Sequence, residues 1–316
     1  IQRIRDVLKD YGIEYDVWFS EKSLHDSGAV METVEFLKKN GYTVEKDGAV
    51  WLSGEKLGLE KDEVLIRNNG VPTYMAADIA YHRNKFITRG FDWVIDLWGA
   101  DHHGHVERMK AAMTPFGVDK ERFQVVLFQL VRLYRNGEIA RMSKRTGRAI
   151  SLGDLLEEVG RDAARFIFNL KTSGSHLDFD LDLAVKQSNE NPVYYVQYAH
   201  ARICSILRKL SEEGVTLRPI ESVNLKLLKE PEEIELMRKL AEYPEEIALS
   251  AKTLEPSRIT RYVMDVAGHF HSFYNACRVR GEEEELMMAR LTLVDCTRIV
   301  IKNVLDLISI TAPEKM

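Results

Sequence analysis

The sequence predicts an α/β fold with a parallel sheet in its first half and an all-α helical bundle in its second half. Two apolar runs, "WVIDLWG" at 93–99 and "FQVVLFQLVRLY" at 123–134, lack polar alternation and are separated by a helical stretch at 105–117. Such runs are typical of buried parallel strands in a βαβ unit. After residue 180 strand signals are almost absent, which predicts helices over the remaining residues.

The other elements of the first half follow from periodicity and turn residues. They are a helix over 1–12, a half-buried strand over 13–21, a helix over 29–40, a hairpin over 42–54, a strand and turn over 62–74, and a helix over 75–86. The hairpin has the strongest local signal, because Asp47-Gly48 lies between two strand-like runs.

Helix-start signals organise the second half. Ser151 and Asp154 form a Ser-x-x-Asp capping box that opens a predicted helix over 152–170. Asn191-Pro192 begins another long helix, since proline suits the first helical turn. The last helix opens with the acidic residues 282–285, which are favourable at a helix N-terminus.

Length, charge and cysteine content limit the class of protein. A chain of 316 residues predicts two domains, and its net charge of -5 argues against nonspecific polyanion binding by the molecule as a whole. The three cysteines contain no Cys-x-x-Cys pair, so they predict neither a disulfide framework nor a thiolate zinc site and favour a cytoplasmic location. No apolar run reaches the roughly 18 residues of a membrane span, so we expect no membrane contact.

The loop "GADHHGH" at 99–105 leaves three interpretations open. Asp101, His102, His103 and His105 could ligate a metal, although a catalytic zinc helix prefers histidines at i and i+4 with a glutamate between them. Alternatively, the Gly-Ala turn could let the backbone approach a nucleotide, with the carboxylate on the ribose and a histidine on the base or phosphate. In the third interpretation the histidines only cap a helix.

The helix "TYMAADIAYH" at 73–82 places Tyr74, Asp78 and either Tyr81 or His82 on one face. A carboxylate beside an aromatic ring suits a cationic ligand, because the carboxylate accepts several N–H donors and the ring offers a π face. The alternative is an amphipathic helix with a solvated aspartate, and the residues alone favour that alternative.

A basic segment lies within 132–148. Its cations are Arg132, Arg135, Arg141, Lys144, Arg145 and Arg148, opposed by Glu138. Crowded like charges predict a compensating anion, and a pliable loop with Gly147 suits closure over phosphates. Met142 among the cations indicates an apolar anchor, whereas a generic charged loop would not need one.

The helix that begins at Pro192 places Tyr195, Tyr198 and Arg202 on a shared face. Aromatic rings with an arginine at the edge of a core are suited to stacking on unpaired RNA bases. Tyrosines at a core boundary are also routine, and taken alone that interpretation is favoured.

Taken together, these segments resemble the arginyl-tRNA synthetases, a class I aminoacyl-tRNA synthetase family. "RMSKR" at 141–145 is similar to the family's KMSKS loop, with arginines in place of its first lysine and last serine. "GADHHGH" resembles the class I adenosine-binding segment, and "DAARF" at 162–166 resembles the Asp-Ala-Leu-Arg signature. "SNENPVYYVQYAHAR" at 188–202 and "ITAPEKM" at 310–316 are similar to segments specific to the arginine enzymes.

The resemblance implies a division of the chain. Residues 1–150 would be the C-terminal part of a Rossmann-type class I catalytic domain, with an inserted segment at about 20–65 and the KMSKS-like loop at 141–145. Residues 151–190 would form a helical connector that contacts the tRNA stem, and residues 191–316 an all-α anticodon-binding domain.

The resemblance also implies the reaction. ATP, as its Mg²⁺ complex, would activate arginine as arginyl-adenylate, and arginine would then pass to the terminal adenosine of tRNA(Arg). No tightly bound metal or organic cofactor is implied, and we expect a monomer.

The site residues implied by the resemblance form four groups. Catalysis would involve Lys144, Arg141 and Ser143. ATP would be bound by Gly99, Asp101, His102, His105, Met142 and Lys144. Arginine would be bound by Tyr74 and Asp78, and the tRNA by Tyr195, Tyr198, Arg202, Tyr274 and Met316.

One departure from the family pattern is that the class I HIGH motif does not occur in this sequence. The only His-x-x-His string is "HHGH" at 102–105, and the resemblance places it in the adenosine-binding segment. Because the first residue is also Ile rather than Met, we expect a C-terminal portion of a larger enzyme, inactive alone. Two alternatives are a tRNA-binding module or paralogue without catalysis and, less favoured, a metal-dependent hydrolase built on Asp101, His102 and His105.

Overall fold

The structure is a computed structural model that describes residues 1–141 and 149–316. Its contacts divide the chain into two compact units, one formed by residues 15–130 and the other by residues 1–14 together with 131–316. This division concerns packing, so the domain boundaries expected near 150 and 190 stay predictions.

Helices and strands follow one another along both units. The α-helices of the described residues are α1 (Gln2–Asp10), α2 (Glu21–Asp26), α3 (Ala29–Lys39), α4 (Gly54–Leu57), α5 (Tyr74–Arg83), α6 (His103–Met113), α7 (Leu152–Val159), α8 (Arg161–Phe168), α9 (Leu181–Ala184), α10 (Pro192–Glu212), α11 (Pro231–Ala241), α12 (Tyr243–Thr253), α13 (Ser257–Ala276) and α14 (Glu284–Leu307). The strands are β1 (Thr43–Lys46), β2 (Ala49–Leu52), β3 (Glu63–Ile66), β4 (Val94–Gly99), β5 (Phe123–Phe128), β6 (Val131–Arg135), β7 (Glu138–Ile139) and β8 (Leu177–Asp180). The predicted fold class, α/β followed by helices, is confirmed.

The unit of residues 15–130 contains an antiparallel sheet in the order β1-β2-β3. The β1–β2 turn has φ angles of 50° at Asp47 and 74° at Gly48, as a type I′ hairpin turn requires, which confirms the predicted hairpin. Helices α3 and α5 pack together beside this sheet, and α5 also packs on β3. Leu37, Leu52 and Leu65 lie fully buried in the resulting core.

The same unit contains the predicted βαβ arrangement. Strands β4 and β5 are parallel, and α6 lies between them in the chain. Their register pairs Val94 with Phe123 and Gly99 with Phe128, so the end of β4 leads directly into the predicted ligand loop. In β4, Val94 and Asp96 are buried, whereas Ile95 and Leu97 are exposed. Strand β4 is therefore buried on one face only, and the expectation of a fully buried strand was wrong for it.

Three sequence predictions were wrong in detail. Residues 13–20 form no strand, and the alternating Tyr15 and Val17 are exposed, because Tyr15 packs edge to face on Trp18 at 5.4 Å instead of entering a sheet. The run 123–134 is two strands rather than one, divided at residues 129–130, where Leu130 is exposed. The predicted helix over 152–170 breaks at Gly160, whose φ of 79° is incompatible with continued helix.

The unit formed by residues 1–14 and 131–316 is mainly helical. Strand β6 pairs antiparallel with β7 and parallel with β8. Helices α10, α13 and α14 pack on one another around Val196, Ile203, Phe270 and Ile301, which are fully buried. In the described residues, no helix is both long and apolar enough to cross a membrane.

Helix caps in this unit agree with the sequence signals. The Ser151 hydroxyl accepts the N–H of Asp154 at 3.2 Å, and the Asp154 carboxylate accepts the N–H of Ser151 at 3.0 Å. Asn191 caps α10 and Pro192 occupies its first turn. The capping box and the Asn-Pro helix start are therefore confirmed.

Candidate functional site

Helices α5 and α6 bring three predicted site residues together. The His105 Nε2 atom on α6 lies 3.3 Å from the Asp78 Oδ2 atom on α5, and the His105 and Tyr74 ring centroids are 6.1 Å apart. His105 is buried, Asp78 is partly exposed and Tyr74 is largely exposed. We call Tyr74, Asp78 and His105 the carboxylate cluster. It joins residues expected to bind two different ligands, arginine and ATP.

The predicted adenosine segment begins where β4 ends. Residues 100–102 form a short 3₁₀ turn, and α6 starts at His103. A side chain at position 99 would place its Cβ 2.5 Å from the Asp101 Oδ1 atom, so a residue larger than glycine would displace the Asp101 side chain. The carboxyl end of a parallel strand is where open α/β sheets bind ligands. Gly99 and Asp101 lie at such a position.

Asp101 and His102 extend the segment toward solvent. The Asp101 side chain is almost fully exposed, and its Oδ2 atom lies 3.8 Å from the His102 Nε2 atom. The two residues are therefore free to reorient, unlike the buried His105. Among the described residues, no group of three or more His, Cys, Asp or Glu side chains could hold a metal ion.

Trp98 is a site residue that the sequence reasoning missed. Its ring centroid lies 5.4 Å from that of His105 and 6.2 Å from that of His102. Trp98, on β4, thus places an aromatic ring beside two histidines of the predicted adenosine segment. The only local signal was an aromatic residue directly before the Gly-Ala turn.

A buried polar group lies beneath the carboxylate cluster. The Asp96 carboxylate on β4 bonds His82 Nε2 at 2.6 Å and Lys85 Nζ at 2.6 Å. Burial acts to raise the pKa of Asp96, but the His82 and Lys85 partners outweigh it and hold that pKa below its usual range. Of the two residues considered for the face of α5, His82 therefore joins this group, while Tyr81 stacks on Phe19 at 4.6 Å.

The basic segment is described in part. Arg141 is exposed, whereas Met142, Ser143 and Lys144, with the rest of 142–148, lie outside the described residues. Arg135 is paired with the Glu158 carboxylate at 2.6 Å. This cation is therefore neutralised within the chain, although the sequence suggested an external anion.

The helical unit brings most of its predicted RNA-contacting residues together. The Arg202 guanidinium lies 4.1 Å from the Tyr274 ring centroid and 5.7 Å from that of Tyr198. Tyr194, which the sequence reasoning did not select, stacks on Tyr198 with 6.1 Å between centroids and 7° between planes. We call Tyr194, Tyr198, Arg202 and Tyr274 the aromatic surface. All four side chains are half-buried, so each keeps part of its surface exposed to solvent.

Tyr195 and Met316 are placed differently. The Tyr195 ring packs 4.9 Å from the His271 ring, and burial raises the pKa of Tyr195. Burial and the positive charge of Arg202 lower the pKa of His271. The exposed Met316 ends a segment that is bonded to α10, since Gln197 donates to the Thr311 carbonyl at 2.9 Å and His200 to the Pro313 carbonyl at 2.9 Å.

Comparison with known families agrees with this geometry. A family model described as "tRNA synthetases class I (R), catalytic domain" matches residues 3–189, and one described as "DALR anticodon binding domain" matches residues 196–316. The chain belongs to the arginyl-tRNA synthetase family. The first match contains the carboxylate cluster, and the second contains most of the aromatic surface.

Individual relatives support the family assignment. Over 316 residues the chain is 71% identical to the arginine–tRNA ligase of Ruminiclostridium cellulolyticum and 72% identical to that of Acetivibrio thermocellus. It spans 56% of the length of each. A Campylobacter jejuni structure assigned as an arginyl-tRNA synthetase superposes with a TM-score of 0.89 at 34% identity, covering 99% of this chain and 67% of that one.

Proposed function

We propose that a protein containing this chain is an arginine–tRNA ligase that uses ATP to activate arginine and transfers it to tRNA(Arg). The carboxylate cluster carries the proposal, because it places a partly exposed carboxylate between an aromatic ring and a histidine near the carboxyl end of β4. The chain spans about half the length of its curated relatives, so the activity belongs to the whole protein.

Arginine recognition is assigned to Asp78 and Tyr74. The Asp78 carboxylate would accept N–H bonds from the substrate guanidinium, and such charge-assisted bonds are roughly twice as strong as neutral ones. The Tyr74 ring would contribute its π face to the same cation. Its high exposure leaves room for a ligand.

ATP binding is assigned to the segment after β4. Gly99 allows close backbone approach, while Asp101 and His102 would contact the adenosine and His105 would support both ligands. Lys144 would neutralise the pyrophosphate that is expelled, with Arg141 and Ser143 as further catalytic residues, and Met142 would anchor the loop near the adenine. The arginine carboxylate would attack the α-phosphorus of Mg²⁺-bound ATP and expel pyrophosphate, so the protein's contribution would be positioning and charge stabilisation.

The tRNA is assigned to the helical unit. Tyr198, Arg202 and Tyr274 would stack on unpaired bases, with Tyr195 behind them and Met316 at the edge. The connector over 151–190 and the anticodon-binding domain over 191–316 belong to this proposal. We also propose that the protein is cytoplasmic and monomeric.

Arginine-dependent exchange between ATP and pyrophosphate in the presence of tRNA(Arg) tests the function. The protein to assay is a chimera in which this chain replaces the matching segment of the Ruminiclostridium cellulolyticum relative. We expect exchange with arginine and none with lysine, and no exchange from the chain alone. An inactive chimera beside an active parent enzyme would refute the proposal. If that inactive chimera still bound tRNA(Arg), a tRNA-binding module would be favoured instead.

A further inference from the structure

The buried group under the carboxylate cluster has a hydrogen-bond pattern in which both ring nitrogens of His82 face acceptors. The Nδ1 atom of His82 lies 2.7 Å from the Asp78 carbonyl oxygen, and its Nε2 atom lies 2.6 Å from the Asp96 carboxylate. A carbonyl oxygen can only accept, and an ionised carboxylate can only accept. A neutral imidazole carries a single N–H, so it could satisfy only one of these partners.

Asp96 is held in its ionised form by Lys85 as well as by His82. Its second oxygen accepts from the Lys85 ammonium at 2.6 Å, and Lys85 lies in the π-helical turn Asn84–Thr88 that follows α5. Both His82 distances are at least as short as charge-assisted N–H bonds usually are.

The remaining surroundings of His82 do not supply a competing donor. The Phe123 ring on β5 lies 4.8 Å away and the Trp98 ring on β4 lies 6.3 Å away. The Tyr81 ring, 6.1 Å away, is covered by the Lys85 ammonium. From α6, His105 reaches Asp78 rather than His82. The ionic groups around His82 in the described residues are thus Asp96 and Lys85, with Asp78 contributing its carbonyl.

We propose that His82 donates through both ring nitrogens, to the Asp78 carbonyl and to the Asp96 carboxylate, and is a positioning residue that fixes Asp78 for the arginine guanidinium. The proposal rests on the proposed function of Asp78. Through this one buried ring, a hydrogen bond within α5, to the Asp78 carbonyl, is connected to a hydrogen bond from α5 to Asp96 on β4.

This connection complements an anchor at the other end of α5. The Thr73 hydroxyl, just before the helix, donates to the Val64 carbonyl on β3 at 2.6 Å. Helix α5 is therefore bonded to β3 at its start and to β4 at its end, and Asp78 lies between the two attachments. A carboxylate held this way presents a fixed geometry to a ligand, which lowers the cost of ordering it on binding.

The presence of a proton on each ring nitrogen of His82 can be measured directly on the 316-residue chain. Long-range ¹H–¹⁵N NMR of its nine histidines at neutral pH should show one ring with protons on both nitrogens, and its signals should be absent in His82→Gln. In Asp96→Asn the ring should keep only one proton, because the asparagine amide can donate to Nε2 while its oxygen accepts from Lys85. A single proton on His82 in the unsubstituted chain would overturn the assignment. Should His82→Gln fail to fold, the loss of one ring proton in Asp96→Asn still identifies the ring.

The positioning role is measured in the chimera described above. His82→Gln should raise the KM for arginine by about tenfold, with smaller changes in kcat and in the KM for ATP. The matched control is His25→Gln, an exposed histidine on α2 of the same unit, which should leave all three constants unchanged. An unchanged arginine KM in His82→Gln, beside a raised one in Asp78→Asn, would overturn positioning and leave the proposed function standing. If Asp78→Asn also had no effect, the proposed function itself would fail.

Discussion

The carboxylate cluster and the aromatic surface use charge in opposite ways. In the cluster, the carboxylate of Asp78 is partly exposed, and a buried group lies beneath it in which His82 and Lys85 bond Asp96. In the aromatic surface, the cation itself is half-buried and lies against two tyrosine rings. A small cationic ligand requires one fixed anion, whereas RNA bases require π faces that tolerate any base.

The comparison also concerns rigidity. Asp78 lies between two backbone attachments of α5, at Thr73 and His82. Tyr198 and Tyr274 instead lie on two different helices and meet through the long, flexible side chain of Arg202. We therefore expect substitutions in the first region to change affinity for a small molecule steeply, and substitutions in the second to change affinity for RNA in smaller steps.

The largest expected effect is that of Asp78→Asn. The amide keeps the shape but removes the charge that would pair with the guanidinium, so the KM for arginine in the chimera should rise by about 10²-fold, as for loss of one partner of a charge pair. The KM for ATP should change little. Pyrophosphate exchange measured against arginine concentration gives both constants. Asp92→Asn, an exposed aspartate of the same unit, serves as the control. Equal KM values for arginine in Asp78→Asn and in this control would show that the Asp78 charge does not bind the substrate.

A smaller effect is expected from Tyr274→Ala. Loss of one base-stacking ring costs on the order of 1–3 kcal/mol, so tRNA(Arg) affinity should fall by about tenfold while the KM for arginine stays unchanged. Filter binding or fluorescence titration at a fixed salt concentration measures this affinity. Tyr243→Ala removes a ring from α12, outside the aromatic surface, and should change tRNA affinity far less. If both variants weakened binding equally, the aromatic surface would not be the RNA contact.

Acid should reveal the buried charges that distinguish the first region. Because the folded-state pKa of Asp96 is lowered, its ionisation stabilises the fold above the ordinary aspartate pKa of about 3.9, and this contribution is lost as pH falls through the lower folded value. Urea unfolding of the chain and of Asp96→Asn should therefore show a stability difference that changes below about pH 4. If the stability difference between the chain and Asp96→Asn stayed constant with pH over this range, the ionised state of Asp96 would be contradicted.

The smallest expected effect concerns the helical unit. Burial raises the pKa of the Cys277 thiol to about 11, with Glu233 acting in the same direction and Arg290 opposing it. The thiolate is the reactive form, so native Cys277 should be alkylated more slowly at pH 8 than the less buried Cys204. Peptide mass spectrometry after iodoacetamide treatment measures both rates. Faster labelling of Cys277 would indicate that this core opens more readily than its packing implies.

Local patterns were sufficient for much of the fold. The Asp47-Gly48 hairpin, the capping box at Ser151 and the parallel pair β4–β5 each depend on residues close in sequence or on a simple apolar run. The expected strand over 13–21 failed because alternation shows which residues could share a face, but not whether a partner strand exists. Tyr15 and Trp18 pack on each other instead.

The candidate site shows the same limit. Tyr74 and Asp78 could be placed together because one turn of helix separates them. The contact between Asp78 and His105 joins residues 27 positions apart and depends on how α5 packs against α6. Trp98 and Asp96 were missed for the same reason, since an aromatic or acidic residue inside an apolar run gives no local signal of which residues it will contact.

Gly99 has a consequence for how this segment can vary. A methyl group there would meet the Asp101 carboxylate, whose exposed side chain can rotate away at low cost, so Gly99→Ala would redirect Asp101 rather than unfold the turn. The residue at position 99 therefore determines which side-chain conformations are open to Asp101. In a library of variants the two positions should be randomised as a pair, because a larger residue at 99 would be compatible mainly with a shorter one at 101.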